Sequence, residues 1–464
     1  MARPAPAATL ILLRRPADPQ VFWVRRHPQT SFLPGYHAFP GGRVDADEQG
    51  TDLDGRARHA ALRETWEETG LALVQPPFEG AARDWAAVTA GRAPQVEGLE
   101  FIRESLSPVY LGRQFSTRYY QCWVPEGAAP RVDPAAGELD EGEWIRPADA
   151  VARWRAGEVL LAPPTFEVLC ALAEGDAHGF AAHAVPEHLS PIRPHIHLLP
   201  LRTPTLPPAT HTNTTVVGTD RLAVFDPASP YPAEQAILDA WLARRRAEGA
   251  RVQAVVLTHH HRDHIADARR LADVHGAPLL AHPETAARVP FAVDGALDEG
   301  DVIELGEHAL DVFHTPGHAP GHLVFVDRAT RTAIVGDMVA GLGTILIEPG
   351  DGDMAAYLAQ LARMRGLGLS ALIPAHGNVI GGPDAKLAHY IAHRLAREAK
   401  VLAALQEGAA DVATLVGRAY ADAPPMARVG PDGGIAGLSL RAHLEKLLAE
   451  GLARDLGDGR FAAA

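Results

Sequence analysis

The stretch Val255–Asp267, VVLTHHHRDHIAD, sets four histidines and an aspartate within the six residues His259 to His264. An apolar run enters it, so the cluster is expected at the end of a β-strand. Alternate side chains of an extended segment point to one side, so His259 and His261 can share one ion. Asp263 and His264, just past a turn, can reach a second. Imidazoles and a carboxylate suit Zn²⁺, and also Mn²⁺ or Fe²⁺. Read alone, the same residues could form a solvated histidine-rich loop.

The rest of the chain weighs against that bland reading. Phe313–His322, FHTPGHAPGH, supplies His318; AIVGD supplies Asp337; IPAHG supplies His376; and LAVFDP ends in Asp226. Each follows a strand-like run, and strand ends are where α/β folds build active sites. This order resembles the metallo-β-lactamase superfamily. The resemblance implies an αββα sandwich in which His259, His261 and His318 hold one metal and Asp263, His264 and His376 the other. Asp337 would bridge the two and Asp226 would support the site. It further implies a metal-bridging hydroxide as nucleophile. His260 and His322 fall outside the ligand positions; His322 either gives a supporting hydrogen bond or packs. Two subgroups are similar, and the second of them shares more, over about residues 191–464. The glyoxalase II-like thioesterases share TPGHAPGH. The group of the mitochondrial lactamase-like endoribonuclease shares TNT (Thr212–Thr214), HYIAHRLARE (His389–Glu398) and a winged-helix tail.

A second dense motif lies far upstream, LRETWEETG (Leu62–Gly70), in a segment whose apolar positions and terminal glycine predict a helix. Glu64, Glu67 and Glu68 fall at i, i+3 and i+4, on one helix face. Like charges so placed cost a few tenths of a kcal/mol per pair, a penalty that a bound Mg²⁺ removes. Scattered glutamates on a solvated face are the plain alternative. With Gly42 and Glu48 the motif resembles the Nudix box. It departs from that pattern in two ways: fourteen residues, instead of seven, separate Glu48 from Arg63, and Thr65 stands at an aliphatic position. The longer spacing resembles the peroxisomal coenzyme A diphosphatases, as do FLPGYHAFPGGRVDA and LAPPTFEVL, over roughly residues 5–172. The resemblance implies that Glu64, Glu67 and Glu68 bind Mg²⁺ or Mn²⁺. Arg63 would orient them, Glu48 would assist, and Glu138 or Glu143 would complete the site. The candidate catalytic residues are thus Asp263, Glu67, Arg63 and Glu48.

The chain has 464 residues, 47% of them hydrophobic, and a net charge of −14. That length suggests several domains: a Nudix α/β/α sandwich over 1–174, a linker over 175–195, a lactamase-fold αββα domain over 196–395 and a small winged-helix-like domain over 396–464. A helical stretch from Ala148 to Glu174 is expected to break at Pro163 and Pro164. The acidic balance disfavours non-specific binding to polyanions. From His393 to Ala464 the tail carries nine Lys/Arg and nine Asp/Glu, so it lacks a basic stripe and fits a packing or homodimerising module as well as a nucleic-acid reader. Two cysteines without metal-type spacing, and no apolar run long enough for a membrane span, lead to the expectation of a cytoplasmic protein. The expected activity is metal-dependent hydrolysis at two sites, on small-molecule phosphoanhydride and on ester or thioester substrates. The alternatives are RNA processing by an endoribonuclease site, and one domain serving as a non-catalytic ligand sensor.

Overall fold

The computed structural model describes residues 4–464 except 31, 79, 81–83, 112 and 187. It divides into two compact units, Met1–Leu198 and Leu199–Ala464.

In the first unit the strand Ala5–Arg14 has two apolar faces, and the two-residue period of a strand sends them to different cores. Ala8, Leu10 and Leu12 pack with Ala57, Ala60, Ala61 and Leu62 of the helix Leu53–Thr69. Ile11 and Leu13 pack with Val151 and Trp154 of one helix and Val168 and Leu169 of another. A mixed sheet flanked by helices on both faces follows. Its strand order is Leu160–Leu161, Tyr36–Ala38, Gln20–Arg26, Ala5–Arg14, Phe115–Trp123 and Glu100–Leu106. The helix Leu53–Thr69 starts at Asp52, whose side chain accepts from Gly55 N–H at 2.8 Å, and stops at Gly70 in the left-handed region, φ 66°.

Two expectations change here. Pro163 and Pro164 open a helix, Pro163–Ala173, instead of interrupting one, because a proline in the first turn lacks only an N–H that has no helical partner. The short strand Leu160–Leu161 separates it from the helix Pro147–Arg155. Residues 175–195, expected as a linker, include a 3₁₀ turn at Gly179–His183 and a strand at Ser190–Arg193.

The second unit stacks two sheets. One contains His211–Val217, Arg221–Phe225, Arg251–Val256, Leu279–Ala281 and Gly295–Ala296 in that order. The other runs Val302–Leu305, His308–His314, Leu323–Asp327, Thr332–Gly336 and Ala371–Pro374. Phe225 and Phe325 meet between them, ring centroids 4.9 Å apart. Helices cover the outer faces; Tyr357, Leu361 and Leu387 join the second sheet's core. The expected boundary after residue 395 falls inside the 24-residue helix Pro383–Gln406. Its first half packs Leu387 and Tyr390 on the sandwich, and its second half packs Val401 and Leu405 on the tail. The tail runs Ala410–Asp411, Val412–Ala419, Gly434–Ala449, Ala453–Asp455 and Arg460–Ala463, with Arg460–Ala463 central in a three-stranded sheet. Among the described residues no helix is long and apolar enough to cross a membrane.

Candidate metal centres

The strands of the sandwich end at Phe225, Val256, His314, Gly336 and Pro374, and Asp226, His259, His318, Asp337 and His376 follow within four residues of those ends. Three ring nitrogens converge there. His261 Nδ1 lies 3.0 Å from His259 Nε2 and 3.0 Å from His318 Nε2, which are 3.3 Å from each other. Zn–N bonds of about 2.05 Å in a tetrahedron would space the nitrogens by roughly 3.3 Å.

The opposite nitrogens decide whether those three can be ligands. Thr258 Oγ1 donates to Asp226 Oδ2 at 2.7 Å, so it accepts from His259 Nδ1–H at 3.0 Å. His261 Nε2–H donates to Asp351 Oδ2 at 2.9 Å, and His318 Nδ1–H to Leu346 O at 2.9 Å. Each ring therefore turns a bare lone pair to its neighbours, and three lone pairs facing one another call for a cation. Burial pushes His318 down to about 4 and His259 well below its usual value, which favours the neutral, ligating form.

The second set has the same construction. His264 Nδ1–H donates to Asp226 Oδ2 at 2.9 Å and His376 Nδ1–H to His211 O at 3.0 Å. Asp337 Oδ1 lies 3.7 Å from His264 Nε2 and 3.5 Å from His376 Nε2, while its Oδ2 faces His318 Nε2 at 3.5 Å. Asp263 Oδ2 is 3.5 Å from His376 Nε2. His264 Nε2 and Asp337 Oδ1 are buried polar atoms with no hydrogen-bond partner among the described residues. Such orphans are expensive unless an ion fills the space between them. Each oxygen of Asp337 thus faces a different ligand set.

Supporting residues arrive from elsewhere. Thr212 Oγ1 donates to Asp263 O at 2.8 Å, Asn213 Nδ2 to Pro374 O at 2.8 Å and Gly377 O at 2.9 Å, and Thr214 Oγ1 to Asp226 O at 2.9 Å. The three residues of TNT therefore tie down three separate ligand loops. Asp226 sits at φ 46°, an uncommon backbone for a non-glycine residue, held by Thr258 N–H at 2.8 Å. His260 Nε2 lies 3.3 Å from Asp351 Oδ1, so it shares the carboxylate that orients His261. Asp351 escaped sequence reading because ninety residues separate it from His261 and its own stretch, GDGD, reads as a turn.

In the first unit Arg63 gathers carboxylates. Its guanidinium lies 3.0 Å from Glu48, 3.0 Å from Glu64 and 2.8 Å from Glu67, and it donates to Arg43 O at 3.0 Å. Burial works against its charge, but Glu64, Glu48 and Glu67 outweigh that and hold its pKa above the usual value. Glu68 accepts from Gly41 N–H at 2.9 Å. Burial raises Glu64 to about 7 and Glu68 to about 8, and neighbouring carboxylates, Glu138 among them, add to both. Glu138 therefore lies beside the cluster. Glu143 does not join it: its carboxylate takes Arg153 at 2.6 Å and Trp23 Nε1–H at 3.2 Å. Carboxylates that burial keeps from ionising, packed beside more of their kind, fit a hard divalent cation with oxygen ligands.

Residues 207–376 match the metallo-beta-lactamase superfamily, and residues 3–162 match the NUDIX domain. The chain is similar to the atrochrysone carboxyl ACP thioesterase AgnL7 of Paecilomyces divaricatus, 30% identical over 42% of this chain and 59% of that protein. The chain is also similar to the hydroxyacylglutathione hydrolase of Acidiphilium cryptum, 38% identical over 28% of this chain and 47% of that protein. The chain spans less than two thirds of the length of either relative. A beta-lactamase domain protein from Burkholderia ambifaria shares the fold, with a TM-score of 0.54 and 22% identity over 61% of this chain and 96% of that one. The chain therefore joins a NUDIX domain to a domain of the metallo-beta-lactamase superfamily.

Proposed function

We propose that the chain is a metal-dependent hydrolase with two active sites. In this reading the first unit cleaves a nucleoside-diphosphate linkage, with coenzyme A as one candidate substrate, and the second cleaves a thioester or other ester. The observation that carries the second activity is the pair of ligand sets facing the two oxygens of Asp337. The names of the two relatives, an ACP thioesterase and a hydroxyacylglutathione hydrolase, support the thioester class.

His259, His261 and His318 would hold one ion, and Asp263, His264 and His376 the other, with Zn²⁺ the favoured metal and Mn²⁺ or Fe²⁺ the alternatives. Bound divalent ions would supply Lewis acidity and a water of lowered pKa. The chain's own part is preorganisation. Thr258, Asp226, Asp351 and the carbonyls of Leu346 and His211 fix the tautomers of His259, His264, His261, His318 and His376 in turn, and His322 holds the backbone of Asp337. In the first unit Glu64, Glu67 and Glu68 would take Mg²⁺ or Mn²⁺. Arg63 aligns the carboxylates, and Glu48 anchors Arg63 from the preceding loop.

The test uses purified protein with Zn²⁺, Mn²⁺ or Mg²⁺, assayed on coenzyme A, acyl-coenzyme A, acyl-glutathione and single-stranded RNA beside Glu67→Gln and His261→Ala. Thioester turnover lost in His261→Ala and diphosphate cleavage lost in Glu67→Gln is the expected result. RNA cleavage abolished by His261→Ala, without thioester turnover, sinks the thioester reading. That RNA-processing alternative rests on the resemblance of about residues 191–464 to the lactamase-like endoribonuclease group, the tail included, whose two helices followed by a hairpin suit a winged-helix module. Its charge balance, nine cations to nine anions from His393 onward, argues for packing or homodimerisation instead.

A further inference from the structure

The helix Pro383–Gln406 presents Lys386, His389, Tyr390, His393 and Arg394 at spacings of three and four residues, along one face. With Thr344 they line a cleft of about 70 Å³, room for one phosphate-sized group. The ionisable side chains in it are all bases or phenol, in a chain whose net charge is −14.

Lysine usage sharpens the point. The whole chain has forty arginines and only three lysines, Lys386, Lys400 and Lys446. Lys400 pairs with Asp422 at 2.7 Å, and Lys446 with Glu398 and Glu450, each at 2.8 Å. Among the described residues no carboxylate pairs with Lys386, whose ammonium lies 5.0 Å from the centroid of the Tyr390 ring. Burial holds it below the usual lysine value, and no acid offsets that. His393, although exposed over much of its side chain, likewise has no acid offsetting its neighbours: partial burial lowers it, and Arg394, Arg397, His389 and His443 lower it further. A half-buried cation beside other bases, without a counter-ion, is a cost that a bound anion removes.

The cleft backs onto the metal centre through one piece of chain. Tyr390 Oη accepts from Ala340 N–H at 3.0 Å, and Arg394 donates to Ile345 O. One residue further, Leu346 O takes His318 Nδ1–H at 2.9 Å. The segment 340–346 therefore has the basic helix at one end of its contacts and a candidate metal ligand at the other.

We infer that this cleft binds a phosphate group carried by the leaving arm of the thioester substrate, with Lys386, His389 and His393 as its ligands. The inference rests on the thioester reading of the dinuclear site. It separates substrates whose thiol arm bears phosphate from those that bear only carboxylate or no charge.

The three lysines make the experiment self-calibrating. The metal-loaded protein is acetylated with an N-hydroxysuccinimide ester, and labelling of each lysine is followed by peptide mass spectrometry. Inorganic phosphate at about ten times its dissociation constant should slow Lys386 roughly ten-fold while leaving Lys400 and Lys446 unchanged. An S-alkyl thioether of coenzyme A, which has no thioester bond to hydrolyse, should protect Lys386 in the same way; it is tested in the Glu67→Gln background, where the first unit leaves its diphosphate intact. The S-alkyl thioethers of glutathione and of N-acetylcysteamine, which lack phosphate, should not. The double variant His389→Gln, His393→Gln alters two exposed side chains and keeps Lys386 for the readout; it should lose most of the protection. Equal slowing of all three lysines, protection by the glutathione thioether, or no protection by the coenzyme A thioether each overturns the proposal. Protection of Lys386 in a protein that turns over no thioester upholds the phosphate cleft and overturns the thioester reading alone.

Discussion

His322 accepts a hydrogen bond from the backbone N–H of Asp337 at 3.1 Å, through Nε2, while its Nδ1 faces Thr315 Oγ1 at 2.9 Å. Gly336 makes the approach possible. A Cβ there would sit 2.6 Å from His322 Nε2, and its φ of 47° suits glycine. The histidine that lies outside the ligand set thus holds the residue expected to bridge the metals. Replacing His322 by Ala should weaken metal affinity about ten- to a hundred-fold while the fold survives. Chelator competition with metal analysis measures it; unchanged affinity would show that Asp337 needs no such hold.

Asp351 gives a parallel case. Its carboxylate fixes His261 at 2.9 Å and reaches His260 at 3.3 Å. Asp351→Asn should lower affinity for the ion at His259, His261 and His318 about ten-fold or more, since an amide can turn an N–H toward His261. Equal metal content and Tm in variant and parent would refute that role.

Asn213 donates to Pro374 O and Gly377 O, the carbonyls on either side of His376. Both acceptors lose a buried partner in Asn213→Ala, which should cost about 2–3 kcal/mol of stability. Denaturant titration of the full chain reads this directly. The turnover defect should exceed what partial unfolding explains, because the His376 loop is released.

Gly42 carries a sharper prediction for the first unit. A Cβ at this position would lie 2.4–2.6 Å from the Glu64 carboxyl atoms. The obstructed group is the end of a flexible side chain, so Gly42→Ala should fold with little loss of stability. Its Glu64 carboxylate would nonetheless be displaced, and diphosphate cleavage should fall about a hundred-fold. Parent-level activity would remove Glu64 from the proposed cation site.

The buried glutamates make the first unit sensitive to pH. Glu64 rises to about 7 and Glu68 to about 8, against roughly 4.3 in an unfolded chain. A raised carboxyl pKa means that the folded state holds its proton more tightly. The resulting stability is full below about pH 4 and is lost as pH climbs through 7 and 8. Mg²⁺ should reverse that loss. Its effect on the Tm of the first unit should be several degrees at pH 8 and near zero at pH 5.5, where it must displace protons. A Mg²⁺ effect that is equal at both pH values would contradict this.

What the sequence determined by itself was local. His259, His261, Asp263 and His264 lie within six residues, and Glu64, Glu67 and Glu68 within five, so strand and helix periods alone bring those atoms to one side. The helix stop at Gly70 was legible for the same reason, as were the strand-end positions of Asp226, His318, Asp337 and His376. Tertiary structure alone decided which distant groups complete the sites. Asp351 lies ninety residues from the imidazole it orients, and Asn213 over a hundred and sixty from the loop it anchors. Periodicity carries no information over such separations. It did not set Glu138 beside the carboxylates and Glu143 against Arg153, nor join the two halves of the helix Pro383–Gln406 to different cores. Those outcomes follow from which buried polar groups could find partners once the sheets had stacked, and that is a property of the packed chain as a whole.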